Sequence, residues 1–206
     1  MRSPSPAVAG AIALPCLAYF FGASLVLQFA RADYDWVAMP LSFYLLGPYC
    51  AWLILGFFAL AAGVLCVALG LHASLKTAAL RRLSLALFVV DAAAICVVAL
   101  AHTDTSADQG PTTHGVVHYT AAAVAFLSVT IGMLTQSWRF RADPHWQRHF
   151  RTAFLLAAVT FMVLWVYVLW RALPRGAMEK AVILLIVLWL LLVSRWLMLT
   201  RHARAA

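Results

Sequence analysis

Charge is what this chain is short of. Asp, Glu, Lys and Arg together make up 11% of its residues, whereas a water-facing surface takes about 25%, so a soluble fold built from it would have too few polar side chains to cover itself. GxSxG, GxxxxGK[ST], HExxH and a GxGxxG opening a helix are all missing, which removes the sequence grounds for a nucleophile elbow, a P-loop, a zincin helix or a dinucleotide fingerprint. Cysteine is sparse, and Cys16, Cys50, Cys66 and Cys96 lie in or beside apolar runs without CxxC spacing. They read as small buried hydrophobes rather than a disulfide framework or zinc ligands. No pair of interrupted apolar segments marks an inverted-repeat transporter, and there is no internal repeat or low-complexity tract.

Hydrophobic residues account for 65% of the chain and the mean hydropathy is +0.92. A helix crossing about 30 Å of hydrocarbon needs roughly 20 apolar residues. Six stretches meet that length: about 8–30, 48–71, 83–101, 116–137, 152–170 and 181–199. The expectation is an all-α integral membrane bundle of six transmembrane helices, with residues 1–206 forming a single transmembrane domain. Ala30-Arg31-Ala32 resembles a cleavage site, but the apolar run before it exceeds the roughly 7–15 residues of a secretory signal, so the first stretch is read as a span.

The net charge of +8 and pI near 9.9 would suggest nucleic acid in a soluble protein. Here the bases sit in short clusters between apolar runs, so the partner is the lipid bilayer and not nucleic acid. One set of loops and ends carries Arg2, Lys76, Arg81, Arg82, Arg139, Arg141, Arg148, Arg151, Arg201 and Arg204, and the opposite set carries Arg31, Arg171, Arg175 and Lys180. The positive-inside rule then places both termini in the cytoplasm, in an inner (plasma) membrane. Residues 31–47 mix acids with aromatics and predict an interfacial segment, with Tyr34 and Trp36 at headgroup level. Asp143-Pro144 predicts an N-cap and first helical residue, starting a short helix that carries His145, Arg148, His149 and Arg151, interleaved with Trp146, against anionic headgroups. Trp138, Trp165, Trp170, Trp189 and Trp196 are read as interfacial anchors.

The densest polar cluster falls between the third and fourth spans, on the extracytoplasmic side. His114 and His118 are four apart where the fourth helix begins and so share a face, and His102 ends the preceding helix. Three histidines are the ligand set of a catalytic zinc site, with Asp104 or Asp108 as base or orienting group. The plainer alternative is a hydrogen-bonded polar plug, since histidine is comfortable at a membrane interface. Asp91 lies inside the third span, roughly 12 Å deep from the cytoplasmic side, and Arg195 roughly 6 Å deep in the sixth. An interhelical salt bridge between them is expected, because an intramembrane acid needs a partner.

At the hairpin and flanking loops the sequence resembles the membrane proteins grouped as domain of unknown function 998. The matching positions are Ser42 in the first extracytoplasmic loop, Asp104 after the third span, His118 opening the fourth, and Glu179-Lys180 before the last. Where such proteins often carry an acid after the loop serine, this chain has Phe43. The resemblance implies a six-span bundle and no settled activity. By layout alone, Ser42, Asp104, His102, His114 and His118 are also similar to membrane hydrolases that set a serine, an aspartate and three histidines around zinc at one bilayer face.

The leading functional expectation is a polar His/Asp pocket on the extracytoplasmic side that binds a lipid headgroup or a metal. His102, His114 and His118 are its expected metal ligands, and Asp104 and Ser42 its catalytic candidates. The alternatives are a metal-dependent hydrolase of a lipid amide or ester, an accessory bundle that docks a lipid or protein partner, and a b-type haem protein with His102 and His118 as axial ligands.

Overall fold

A computed structural model of the chain describes residues 5–75, 80–101, 103–104 and 112–199. Among them are six helices long and apolar enough to cross a membrane: α1 (Pro6–Ala30), α2 (Cys50–Ser74), α3 (Arg81–Leu100), α4 (Thr113–Phe140), α5 (Phe150–Leu169) and α6 (Arg175–Leu199). The described residues contain no strand. The expected all-helical, six-span membrane architecture is the one observed, and this is a multi-pass membrane protein.

Two of the helices start on side-chain caps. Ser5 caps α1, its Oγ accepting from the Val8 N–H at 3.3 Å, with Pro6 at the first position, where no N–H is needed. Thr112 caps α4 through the Gly115 N–H at 3.0 Å. Within the spans, hydroxyls turn back on their own helices: Ser128 donates to Val124 O, Thr130 to Phe126 O, Thr160 to Leu156 O and Ser194 to Leu190 O, at 2.6–2.7 Å. That satisfies each donor where no water is available.

Successive helices run antiparallel and pack as neighbours, and α6 returns to close against α1 and touches α2, so the bundle is a ring. Its outside is apolar, with Phe29 at 79% exposure on α1 and Leu155, Met162 and Leu169 exposed on α5. In water such a belt would drive aggregation; against lipid tails it is the expected surface. The core joins buried residues of all six helices, including Leu17, Leu53, Phe88, Met133, Leu164 and Leu190.

Two aromatic expectations change. Trp189 is fully buried and donates through Nε1 to Ser137 Oγ and Ala153 O, both at 3.2 Å, tying α6 to α4 and α5. Trp146 is also buried, stacked on Phe140 with ring centroids 4.7 Å apart. Both were expected at the interface; each instead has an apolar ring body that packs well inside. The short helix expected from Asp143-Pro144 does not start there: Asp143 Oδ1 accepts from the His145 N–H at 3.0 Å in a turn, and only at Gln147–His149 does a 3-10 turn begin, which runs directly into α5.

The candidate site: one cavity in the helix ring

The ring holds a cavity of about 720 Å³, walled by all six helices and by the segment before α2. It lies towards the end of the bundle opposite the chain termini, here called the pocket end. Its walls are mainly apolar, and Asp91, His118, Glu179 and Ser42 are among the few polar side chains that line it.

Part of the segment 31–47 packs into the bundle. A 3-10 turn at Leu41–Leu45 folds inward and buries Leu41, Tyr44 and Leu45, while Trp36 stays 57% exposed. The reason lies at the start of α6. The first N–H groups of a helix have no partner within it, and here the Gly176 and Ala177 N–H groups donate to Ala38 O and Val37 O at 3.0 and 2.8 Å. A Cβ on Gly176 would stand 2.3 Å from Met39 O, so only glycine permits this approach. Lys180 Nζ donates to Trp36 O and Met39 O at 2.6 and 2.7 Å. Glu179 Oε1 accepts from the Leu41 N–H at 3.0 Å, and its Oε2 accepts from the Tyr167 hydroxyl at 3.4 Å. The Glu179-Lys180 pair thus clamps the loop onto the bundle and brings Ser42 to the cavity.

The other end of the loop is held by Arg31. Its Nε and Nη2 donate to Asp33 at 2.8 and 2.7 Å, its Nη1 donates to Leu46 O at 2.6 Å, and its guanidinium stacks 3.9 Å over Tyr34. The hydrogen bonds to Arg31 hold the Asp33 carboxyl below its ordinary value, and the same contact raises the Arg31 guanidinium. Burial pushes the Tyr44 phenol up.

His118 and His114 stand in different surroundings. His118 is 2% exposed and lines the cavity, while His114 lies on an exposed face of α4. The His118 Nδ1 lies 2.8 Å from Ala101 O. A carbonyl can only accept, so Nδ1 carries a proton and donates in this contact. Asp104 is engaged elsewhere: the Thr112 hydroxyl donates to its Oδ1 at 2.5 Å and the Thr112 N–H to its Oδ2 at 3.1 Å. It sits over the N-terminus of α4, where the helix dipole favours a negative charge. A Cβ on Gly115 would meet that carboxylate at 1.9 Å, so glycine there makes room for it.

Of the residues expected to surround a zinc ion, the structure brings Ser42 and His118 to one cavity; Asp104 and His114 do not line it. His102 and Asp108 lie outside the described residues. Among the described residues no three His, Cys, Asp or Glu side chains are placed to hold a metal, so the donor set for zinc does not assemble from them.

Asp91 differs most from expectation. It is 1% exposed, and its Oδ2 has no hydrogen-bond partner among the described residues. Arg195, expected to pair with it, sits on an exposed face of α6, while α3 packs chiefly against α2 and α4. The salt bridge does not form because the arginine lies on the exposed face of α6, one turn from the helix end, while α6 meets α3 through Trp189, whose ring stacks on Phe88 with centroids 6.0 Å apart. What sequence reasoning missed are Gly115, Gly176, Tyr167 and Arg175, the last donating to Tyr167 O at 2.6 Å. A glycine in each helical first turn was the available signal for two of them.

A family model described as a protein of unknown function (DUF998) matches residues 12–196. No curated protein and no solved structure matches the chain.

Proposed function

The chain belongs to the DUF998 family, and from that premise we propose that it binds an amphipathic, lipid-like molecule in the cavity of its helix ring. The hydrocarbon part lies against the apolar walls and the polar head stays at the pocket end, beside Ser42 and His118. The observation that carries this reading is the cavity itself. Its volume of about 720 Å³ falls in the roughly 300–1,000 Å³ of small-molecule pockets, and apolar walls with a few convergent polar groups are the usual character of such sites. We also assign the pocket end to the extracytoplasmic side of an inner membrane, from the distribution of Lys and Arg.

The test is photocrosslinking in lipid nanodiscs with a dodecanol carrying a diazirine in its chain. The expected result is adducts on cavity positions of α3 and α4, such as Val98 and Ala125, in the wild type. They should be lost when Ala125, buried and on the cavity wall, becomes phenylalanine. Ala122→Leu serves as the milder second block, and size-exclusion profiles confirm that both variants fold. Adducts confined to outward positions such as Phe29 and Leu155 overturn the reading.

A further inference from the structure

The cavity has a second polar station well below its mouth, and no side chain among the described residues pairs with it. Asp91 lies ten residues before Ala101 on α3, about 15 Å along the helix axis from the carbonyl that holds His118. The cavity wall around the middle of the bundle is supplied by Phe57, Leu60 and Val64 of α2, Ile95 of α3, and Ala125 and Val129 of α4, all apolar. The other ionisable groups on the lining, His118, Tyr119, Tyr167, Arg175 and Glu179, lie within the first turns of α4 and α6 or the last turn of α5, all at the pocket end. The one cation among them, Arg175, is stacked 4.0 Å over Tyr167 and bonded to its carbonyl.

A carboxyl group taken out of water is costly unless something pairs with it, and an ionisable side chain at membrane depth faces a cavity or a partner. Here it faces the cavity. Resting on the reading of the cavity as an amphiphile site, we propose that its ligand carries an ammonium group on the hydrocarbon part, which docks on Asp91. A hydrogen-bonding head stays at the mouth. The ligand class is a two-ended amphiphile: a neutral polar group at one end and, about 15 Å away along α3, an amine. An ammonium on a carboxylate makes a charge-assisted hydrogen bond, roughly twice as strong as a neutral one, and the walls between the two stations suit an alkyl chain.

Competition binding in nanodiscs tests this, with tritiated 12-amino-1-dodecanol as probe, empty nanodiscs as baseline, and unlabelled 1-dodecanol and 1,12-dodecanediol as competitors. The expected result is that the amino alcohol binds the wild type at least tenfold more tightly than either competitor. Asp91→Asn should abolish that advantage, and an unchanged size-exclusion profile shows that the variant is folded. If the three compounds bind the wild type equally, or if Asp91→Asn leaves the advantage in place, the amine assignment falls and the cavity reading stands. If none of the three binds above baseline, the cavity reading falls and takes the amine assignment with it.

Discussion

Asp104 shows how a residue can carry a family resemblance and still do structural work. Its carboxylate accepts twice from Thr112 and lies against Gly115 at the start of α4, where a negative charge offsets the helix dipole. Replacing it with alanine should therefore cost on the order of 1 kcal/mol, as loss of a helix cap does, and lower the melting temperature in detergent by a few degrees. Gly115→Ala should cost at least as much, because the added methyl displaces the same carboxylate. The two changes share one contact, so a double-mutant cycle followed by thermal unfolding should show them less than additive; strict additivity would mean that the carboxylate and the glycine are not coupled.

At the scale of elements, the loop before α2 and the first turn of α6 form one unit. Two N–H groups of α6 and the Lys180 ammonium end on carbonyls of residues 36–39, while Glu179 takes the Leu41 N–H. Gly176→Ala forces a methyl into Met39 O, and Lys180→Met removes two short hydrogen bonds. Both variants should raise amide hydrogen exchange across residues 36–46 by tenfold or more while leaving α2 and α3 protected. Uniform loosening of the whole bundle would show instead that the clamp is part of the global fold rather than a local latch. The sequence placed Glu179 and Lys180 just ahead of the last span; their role became visible only when α6 was found to begin at Arg175 and to include them.

Across the whole molecule, the skew of basic residues predicts which end faces the cytoplasm. In a background with the four native cysteines replaced by alanine, Trp36→Cys at the pocket end should react with a membrane-impermeant maleimide on intact spheroplasts. Arg82→Cys, exposed in the first turn of α3, should react only after permeabilisation. The reverse pattern would invert the topology and put the cavity mouth in the cytoplasm.

The sequence alone determined that six helices cross a membrane, because the free energy of burying an apolar segment in hydrocarbon is local and adds up residue by residue. It also singled out Ser42, His118, Glu179-Lys180 and Asp91 as unusual polar residues in or beside apolar spans. Only the tertiary structure decided which of them meet. Lipid tails are as apolar as leucine, so hydropathy leaves each helix free to rotate and to choose its neighbours, and close packing and buried hydrogen bonds set both. That choice turned Arg195 outward, closed α6 on α1, occupied Asp104 at the start of α4, and left the Asp91 carboxyl beside an apolar cavity.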